Sequence, residues 1–202
     1  MPQIRKITKQ TDNRFVNLYE LEVTYRTGGE GKYFMASRIG KPEDLKLVTQ
    51  ENHPDGVGIY ALYGENHDRV VLVRQYRYPI GGFIYEFPAG LVEKGESFRE
   101  AAVRELHEET GLTLHPLDVP PEYEAPRFMT VGLTDESCAV VYGYAEGTVS
   151  RRYMEDTEEI EIVLADREEV RRLLREERMA LMCAYQLMHF LADEDPFRFL
   201  RV

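Results

Sequence analysis

The stretch that decides the fold is residues 90–112, GLVEKGESFREAAVRELHEETGL. Ser97 followed three residues later by Glu100 forms a capping box, which predicts that a helix begins at Phe98. Gly111 predicts where that helix ends, because glycine adopts the left-handed conformation of a helix C-cap at little cost. Most residues between these two signals are good helix formers, so the pattern favours one continuous helix.

On a helical wheel, the glutamates of this helix lie on the side expected to face the core. Glu105 and Glu109 are four residues apart and share a face with Ala101 and Ala102, while Glu108 flanks them. The opposite face carries Arg99, Glu100, Val103 and His107. Because burying an unpaired carboxylate costs several kcal/mol, a cation is expected there. Clustered carboxylate oxygens suit Mg²⁺ or Mn²⁺, so we interpret Glu105 and Glu109, with Glu108, as metal ligands.

The alternative interpretation is a solvated acidic helix in which Arg104 pairs with its neighbours. The inward position of the carboxylates and the glycine in the entry loop favour the metal site. Proline and glycine give the loop 88–90 a fixed shape, and the carbonyl of Ala89 is expected to face the metal. Glu96 has two open roles, either ligating the metal through water or pairing with Arg104.

The rest of the chain alternates between strand and helix patterns. The strand patterns cover residues 15–26, 32–38, 56–63, 69–76, 83–87, 139–145 and 159–164. Two further helices are predicted at 167–177 and from about 179 to 192, and the methionines of the second are expected to fill the core. This order predicts an α+β fold, in which a mixed sheet carries the glutamate-rich helix on one face and the C-terminal helices on the other.

The glutamate-rich stretch resembles a complete Nudix box. Gly90, Glu96 and the run RELHEETGL at residues 104–112 match every fixed position of that pattern, with five and seven residues in the two gaps. Residues 74–95 (RQYRYPIGGFIYEFPAGLVEKG), 132–136 (GLTDE) and the tail DPFRFLRV are similar to the ADP-ribose and ADP-sugar pyrophosphatase branch of that family. The resemblance implies a Nudix α/β/α sandwich with a mixed β-sheet and a small N-terminal β-hairpin subdomain.

The same resemblance implies an activity and its substrate contacts. The activity is divalent-metal-dependent hydrolysis of the pyrophosphate bond of a nucleoside diphosphate sugar, such as ADP-ribose, giving AMP and a sugar phosphate. By position, Arg77 is the first substrate contact, followed by Arg74, Glu86 and, from the 132–136 loop, Leu133. An ordinary ion pair is the alternative for Arg77 and for Glu86.

The general base is expected in a loop after the box. In the resembling branch a glutamate there activates the water, and Glu158 matches best by its distance from the following strand. Asp156 is the second choice, and Glu108 and Glu109 complete the set of catalytic residues. One departure weakens ADP-ribose as the specific substrate: the branch has a proline just before the second loop, where this chain has Val131. A GDP-mannose-type or dinucleotide polyphosphate pyrophosphatase, or a non-catalytic ADP-ribose sensor, therefore stays open.

The N-terminal residues predict a separate small unit. The two strand patterns at 15–26 and 32–38 are joined by Gly28-Gly29 and form a hairpin, which is marginal in isolation. We divide the chain into an N-terminal β subdomain at residues 1–50 and a Nudix hydrolase domain at 51–202. In the resembling family the hairpin packs on a partner subunit, which implies a homodimer.

Charge and composition limit the partners. The 202 residues carry a net charge of −11, which argues against nucleic acid, because phosphate backbones bind basic surfaces. No run approaches the length of a membrane span, and the first residues show no apolar signal core. Cys138 and Cys183 do not make a disulfide framework. These features predict a cytoplasmic protein that binds neither nucleic acid nor membrane.

Overall fold

The computed structural model describes residues 1–154 and 159–201. The chain forms two compact units. The N-terminal unit comprises Met1–Asp55 and Pro126–Cys138, and the sandwich unit comprises Gly56–Ala125 and Ala139–Val202. The predicted division into residues 1–50 and 51–202, with dimerisation as the role of the first part, stays a prediction.

The described chain contains both strands and helices, whose bounds are as follows. The strands are β1 (Gln3–Lys9), β2 (Asn17–Thr24), β3 (Glu30–Ser37), β4 (Gly56–Tyr63), β5 (Arg69–Arg77), β6 (Gly82–Glu86), β7 (Ala89–Leu91), β8 (Thr113–Pro116), β9 (Arg127–Phe128), β10 (Ser137–Glu146) and β11 (Ile160–Ala165). The helices are α1 (Lys46–Thr49), α2 (Phe98–Thr110), α3 (Pro121–Glu124), α4 (Arg167–Glu176) and α5 (Leu181–Ala192).

The N-terminal unit is built on a three-stranded antiparallel sheet in the order β1-β2-β3. The predicted hairpin of β2 and β3 is confirmed, and its register runs from Asn17 opposite Ser37 to Thr24 opposite Glu30. Strand β1 has no counterpart in the sequence analysis, because its residues QIRKITK are largely exposed and show no apolar alternation. The core of the unit consists of Tyr19, Leu21, Met35 and Leu45.

The sandwich unit has a central sheet with helices on both faces. The strand order is β11-β5-β4-β10-β8, with β6 paired to β5 and β7 paired to β4. Ile59 and Ala61 of β4 pack in one apolar cluster with residues of α2, whereas Tyr60 and Leu62 of the same strand pack in a second cluster with α4 and α5. Both faces of β4 are therefore buried, which explains its nearly continuous apolar sequence. The predicted α+β sandwich with a mixed sheet is confirmed.

Helix α5 differs from the sequence expectation. Cys183, Leu187 and Phe190 form its buried face, whereas Met182 and Met188 are 46% and 53% exposed. The prediction that these methionines fill the core is therefore wrong, because the period of the helix assigns them to the outer side. No helix in residues 1–154 and 159–201 has the length and apolar character needed to cross a membrane. The cytoplasmic location stays a prediction.

Candidate metal and catalytic site

Helix α2 begins and ends where its sequence signals lie. The hydroxyl of Ser97 accepts a hydrogen bond from the backbone N–H of Glu100, and the backbone N–H of Ser97 donates to the Glu100 carboxylate at 2.9 Å. At the other end Gly111 adopts φ 74°, and its N–H donates to the carbonyl of His107. A side chain at Gly111 would also collide with the backbone of Ser150. Both caps fix the length of the helix that carries the predicted metal ligands.

The inward face of α2 carries a buried glutamate among small and apolar residues. Glu109 is 3% exposed and lies on the same side as Ala101, Ala102 and Leu106, which are fully buried. The backbone N–H of Ala89 donates to Oε2 of Glu109 at 3.3 Å. The structure therefore brings Ala89 and Glu109 together through the N–H of Ala89, and the predicted role of the Ala89 carbonyl as a metal ligand stays a prediction.

Glu105 packs directly against the backbone of Gly90. A β-carbon built on Gly90 would lie 1.9 Å from Cδ of Glu105 and 2.0 and 2.3 Å from its two oxygens. Gly90 belongs to β7, and its pairing with Val57 of β4 holds it in the sheet. Only glycine leaves room for the carboxylate at this position, which is the close approach that the residue permits.

Arg104 gathers three glutamates around one guanidinium. Nε and Nη2 donate to the two oxygens of Glu96, each at 2.9 Å. Nη1 donates to Oε1 of Glu105 at 2.8 Å and to Oε2 of Glu108 at 3.0 Å, and Nη2 also reaches the carbonyl of Leu91 at 3.1 Å. The hydrogen bonds from Arg104 hold the pKa of Glu96 below its usual value, and those to Glu96 in turn raise the pKa of Arg104. Of the two roles left open for Glu96, the structure shows the pairing with Arg104.

This donor set suits a hard divalent cation. Glu105, Glu108 and Glu109 supply carboxylate oxygens from two successive turns of one helix, which is the ligand chemistry that Mg²⁺ and Mn²⁺ prefer. As the side chains stand within residues 1–154 and 159–201, no group of three or more His, Cys, Asp or Glu residues is placed so that it could hold a metal ion. In the observed arrangement the guanidinium of Arg104 supplies the positive charge that Glu105 and Glu108 share.

The two predicted substrate arginines both have carboxylate partners. Arg77 forms a two-pronged ion pair with Glu86, with Nε to Oε1 at 2.8 Å and Nη2 to Oε2 at 3.0 Å. The two residues lie on the paired strands β5 and β6. Arg74 bonds to Glu161 at 3.0 Å, and its guanidinium carbon lies 4.1 Å from the ring centroid of Phe83. The structure thus shows the ion pair that was the alternative interpretation of Arg77 and Glu86.

The structure does not test the roles of three other predicted site residues. Leu133 belongs to the N-terminal unit, where its carbonyl accepts a hydrogen bond from the N–H of Ala36 and its side chain is 56% exposed. Asp156 and Glu158, the predicted general bases, lie outside the described residues. The roles of all three stay predictions.

Sequence analysis missed the segment that covers the last turns of α2. The N–H of Ser150 donates to the carbonyl of Thr110 at 2.8 Å, and the rings of Tyr153 and His107 lie 4.4 Å apart. No local pattern could indicate these contacts, because they join residues about forty positions apart in the chain.

Comparison with known proteins gives a match that includes this region. The family model for the NUDIX domain matches residues 52–185, which include the whole of α2 and the loop before it. Among relatives, the ADP-ribose pyrophosphatase of Saccharomyces cerevisiae is 28% identical over 79% of this chain and 67% of that protein. The ADP-sugar pyrophosphatase of Mus musculus is 44% identical over a shorter match, which spans 34% of this chain and 33% of the mouse protein.

A solved structure supports the fold independently. The crystal structure of an ADP compounds hydrolase superposes with a TM-score of 0.62 at 18% identity and covers 87% of this chain and 83% of that one. At this identity the likeness concerns the fold alone. Because the NUDIX domain model spans most of the chain and includes the capped helix with its carboxylates, the chain belongs to the Nudix hydrolase family.

Proposed function

We propose that the protein hydrolyses the pyrophosphate bond of a nucleoside diphosphate sugar, ADP-ribose or a related ADP-sugar, to give AMP and a sugar phosphate. The observation that carries the proposal is the meeting of Glu96, Glu105 and Glu108 on one guanidinium, with the buried Glu109 on the same helix. Relatives named as ADP-ribose and ADP-sugar pyrophosphatases support the choice of substrate class.

A divalent cation fits the charge problem of this reaction. A pyrophosphate substrate is strongly negative and the chain itself carries −11, so positive charge is needed where the two meet. Glu105 and Glu109 would hold Mg²⁺ or Mn²⁺, with Glu108 and the carbonyl of Ala89 completing the protein ligands. The bound ion would neutralise the phosphate oxygens and lower the pKa of a coordinated water. Glu96 pairs with Arg104 and would hold that arginine in a fixed position beside these ligands.

Arg77 is the first choice for binding a substrate phosphate. Its side chain is 43% exposed, so a phosphate arriving from solution can reach it. Glu86 holds the guanidinium in a fixed plane, and a planar guanidinium binds phosphate oxygens in pairs. Arg74 is the second choice, because its stacking on Phe83 also fixes its orientation. Leu133 is the proposed apolar contact.

The proposed general base is Glu158, with Asp156 second. A carboxylate that removes a proton from water should produce the acidic limb of the pH–rate profile. Glu158→Gln should therefore abolish that limb and lower kcat strongly, whereas Asp156→Asn should leave both nearly unchanged. Wild-type profiles in both variants would reject this loop, and Glu108 would then be the next residue to test.

We also propose that the protein is a homodimer that associates through its N-terminal sheet. Leu18 on β2 and Phe34 on β3 are 39% and 48% exposed, and Phe15 just before β2 is 63% exposed. Exposed apolar side chains grouped on one small sheet are typical of an interface. Light scattering of the wild type should give twice the chain mass, and Phe34→Glu should shift the protein toward one chain mass.

A substrate panel tests the proposed activity. ADP-ribose, an ADP-hexose, GDP-mannose and a diadenosine polyphosphate would be incubated with the protein in Mg²⁺ or in EDTA, and the products separated by chromatography. We expect AMP from the ADP-sugars in Mg²⁺ and no turnover in EDTA. Faster hydrolysis of GDP-mannose or of the dinucleotide would favour the alternative pyrophosphatases. Binding of ADP-ribose without any product would indicate a sensor.

A further inference from the structure

The five hydrogen bonds of Arg104 fall into two groups with different roles. Nε and Nη2 hold Glu96 in a two-pronged pair, and Nη2 also reaches the carbonyl of Leu91. Nη1 alone donates to other side chains of the same helix, to Oε1 of Glu105 and Oε2 of Glu108. Glu96 lies before the helix, whereas Glu105 and Glu108 belong to the proposed metal ligands. Nε and Nη2 therefore anchor the guanidinium to Glu96, whereas Nη1 bonds to oxygens of the proposed metal ligands.

We infer that Nη1 of Arg104 competes with the divalent cation for Glu105 and Glu108. On metal binding, the two carboxylates would release their hydrogen bonds to Nη1 and bind the ion instead. The pair with Glu96 would hold the arginine beside the site. The inference rests on the proposed metal-dependent function. Its physical basis is that Nη1 already bonds one oxygen of each carboxylate, and a second positive charge brought to the same two carboxylates is repelled by the guanidinium.

Two opposite effects follow from this competition. Arg104 stabilises the metal-free protein, because without it three neighbouring carboxylates would repel one another. It also weakens metal binding, because the ion must first displace Nη1. An arginine that only orients the ligands would do the reverse, since its removal would leave the carboxylates disordered and the ion more weakly bound.

Manganese binding to the Arg104→Gln variant separates the two roles without any measurement of turnover. Isothermal titration with Mn²⁺ alone should give a dissociation constant about tenfold lower than that of the wild type, a change expected from the loss of one partly exposed competing charge. In EDTA the variant should melt at a lower temperature than the wild type, and the rise in melting temperature on adding Mn²⁺ should be larger. Equal or weaker Mn²⁺ binding would overturn the inference.

Two further variants make the result decisive. Arg99→Gln is the matched control, because Arg99 lies on the opposite face of α2 and pairs with Glu124 at 2.7 Å. It should lower the melting temperature and leave Mn²⁺ affinity unchanged, and tighter binding in this variant would contradict the inference. If Arg104→Gln does not fold, Arg104→Met, which keeps an unbranched side chain without charge or donors, should still bind Mn²⁺ more tightly than the wild type.

Measurements on the wild type distinguish a failure of this inference from a failure of the proposed function. A wild-type protein that neither binds Mn²⁺ nor turns over any member of the panel would refute the proposed function. A wild type that does both, beside an Arg104→Gln variant that binds Mn²⁺ no more tightly, would refute the competition alone.

Discussion

Replacing Gly90 with alanine tests the central contact of the site. The added methyl group would lie 1.9 Å from Cδ of Glu105, whereas carbon atoms in contact are separated by about 3.5 Å. The carboxylate must therefore move by about 1.5 Å. The backbone at Gly90 needs no left-handed conformation, so the effect of the substitution is steric.

The expected loss is large in catalysis and small in stability. A displacement of about 1 Å at a catalytic group lowers the rate by about 100-fold, so kcat/KM for ADP-ribose should fall by about that factor. The moved carboxylate would lose its bond to Nη1 of Arg104, a contact between side chains that are 28% and 16% exposed. An ion pair of this kind contributes about 1 kcal/mol, which corresponds to a decrease of about 2–4 °C in the melting temperature.

The assay is AMP release in Mg²⁺ followed by chromatography, with the melting temperature measured on the same preparation. Gly40→Ala is the matched control, because a β-carbon at Gly40 would meet no atom within 4 Å. It should match the wild type in both measurements. A Gly90→Ala variant with activity within about threefold of wild type would refute the placement of Glu105 in the reaction. A decrease in melting temperature of more than about 10 °C would show that the sheet moves instead of the carboxylate.

Three further predictions follow from helix α2. Glu109→Gln should lower kcat by at least about 100-fold through the loss of a charged ligand, with a melting temperature close to that of the wild type because the acceptor for the N–H of Ala89 remains; steady-state kinetics and calorimetry check both. Since Arg104 lowers the pKa of Glu96, the ionised carboxylate stabilises the fold above its usual pKa of 4.5, and this contribution disappears as the pH falls through the lower folded-state value. Urea unfolding should therefore show Glu96→Gln less stable than wild type at pH 7 and the difference shrinking below about pH 4.5; a constant difference would contradict the assignment. Ser97→Ala should cost about 1 kcal/mol of stability by removing the capping box, measurable as a lower calorimetric melting temperature with little change in kcat.

Local signals were sufficient to predict the helix at the centre of the protein. The capping box at Ser97 and the glycine at 111 act on backbone groups within four residues, so the sequence contains all of the information they use. The wheel correctly assigned Glu109 to the buried face, because the helical period is fixed by backbone geometry. Strand β4 was predicted with its observed bounds, since an apolar run of that length between turn residues is typical of a strand buried on both faces.

Polar pairings between elements were decided by the tertiary structure. Arg77 pairs with Glu86 although the register of β5 against β6 places Arg77 opposite Gly82 and Glu86 opposite Val73, and the sequence contained no preference among the many available acids. Strand β1 forms because β2 offers it a paired edge, although its own residues are mostly exposed. The outward methionines of α5 likewise depend on which side of the helix the core covers.

The sequence by itself determined the Nudix box, the helix that carries it and the inward direction of Glu105 and Glu109. Only the tertiary structure decided that Arg104 holds Glu96, Glu105 and Glu108 together and that Gly90 lies against Glu105. The physical reason is the separation along the chain over which each interaction acts. Capping and helical period act within a turn of the chain, whereas the contact between β7 and α2 exists only after the sheet and the helix have packed on their shared apolar core.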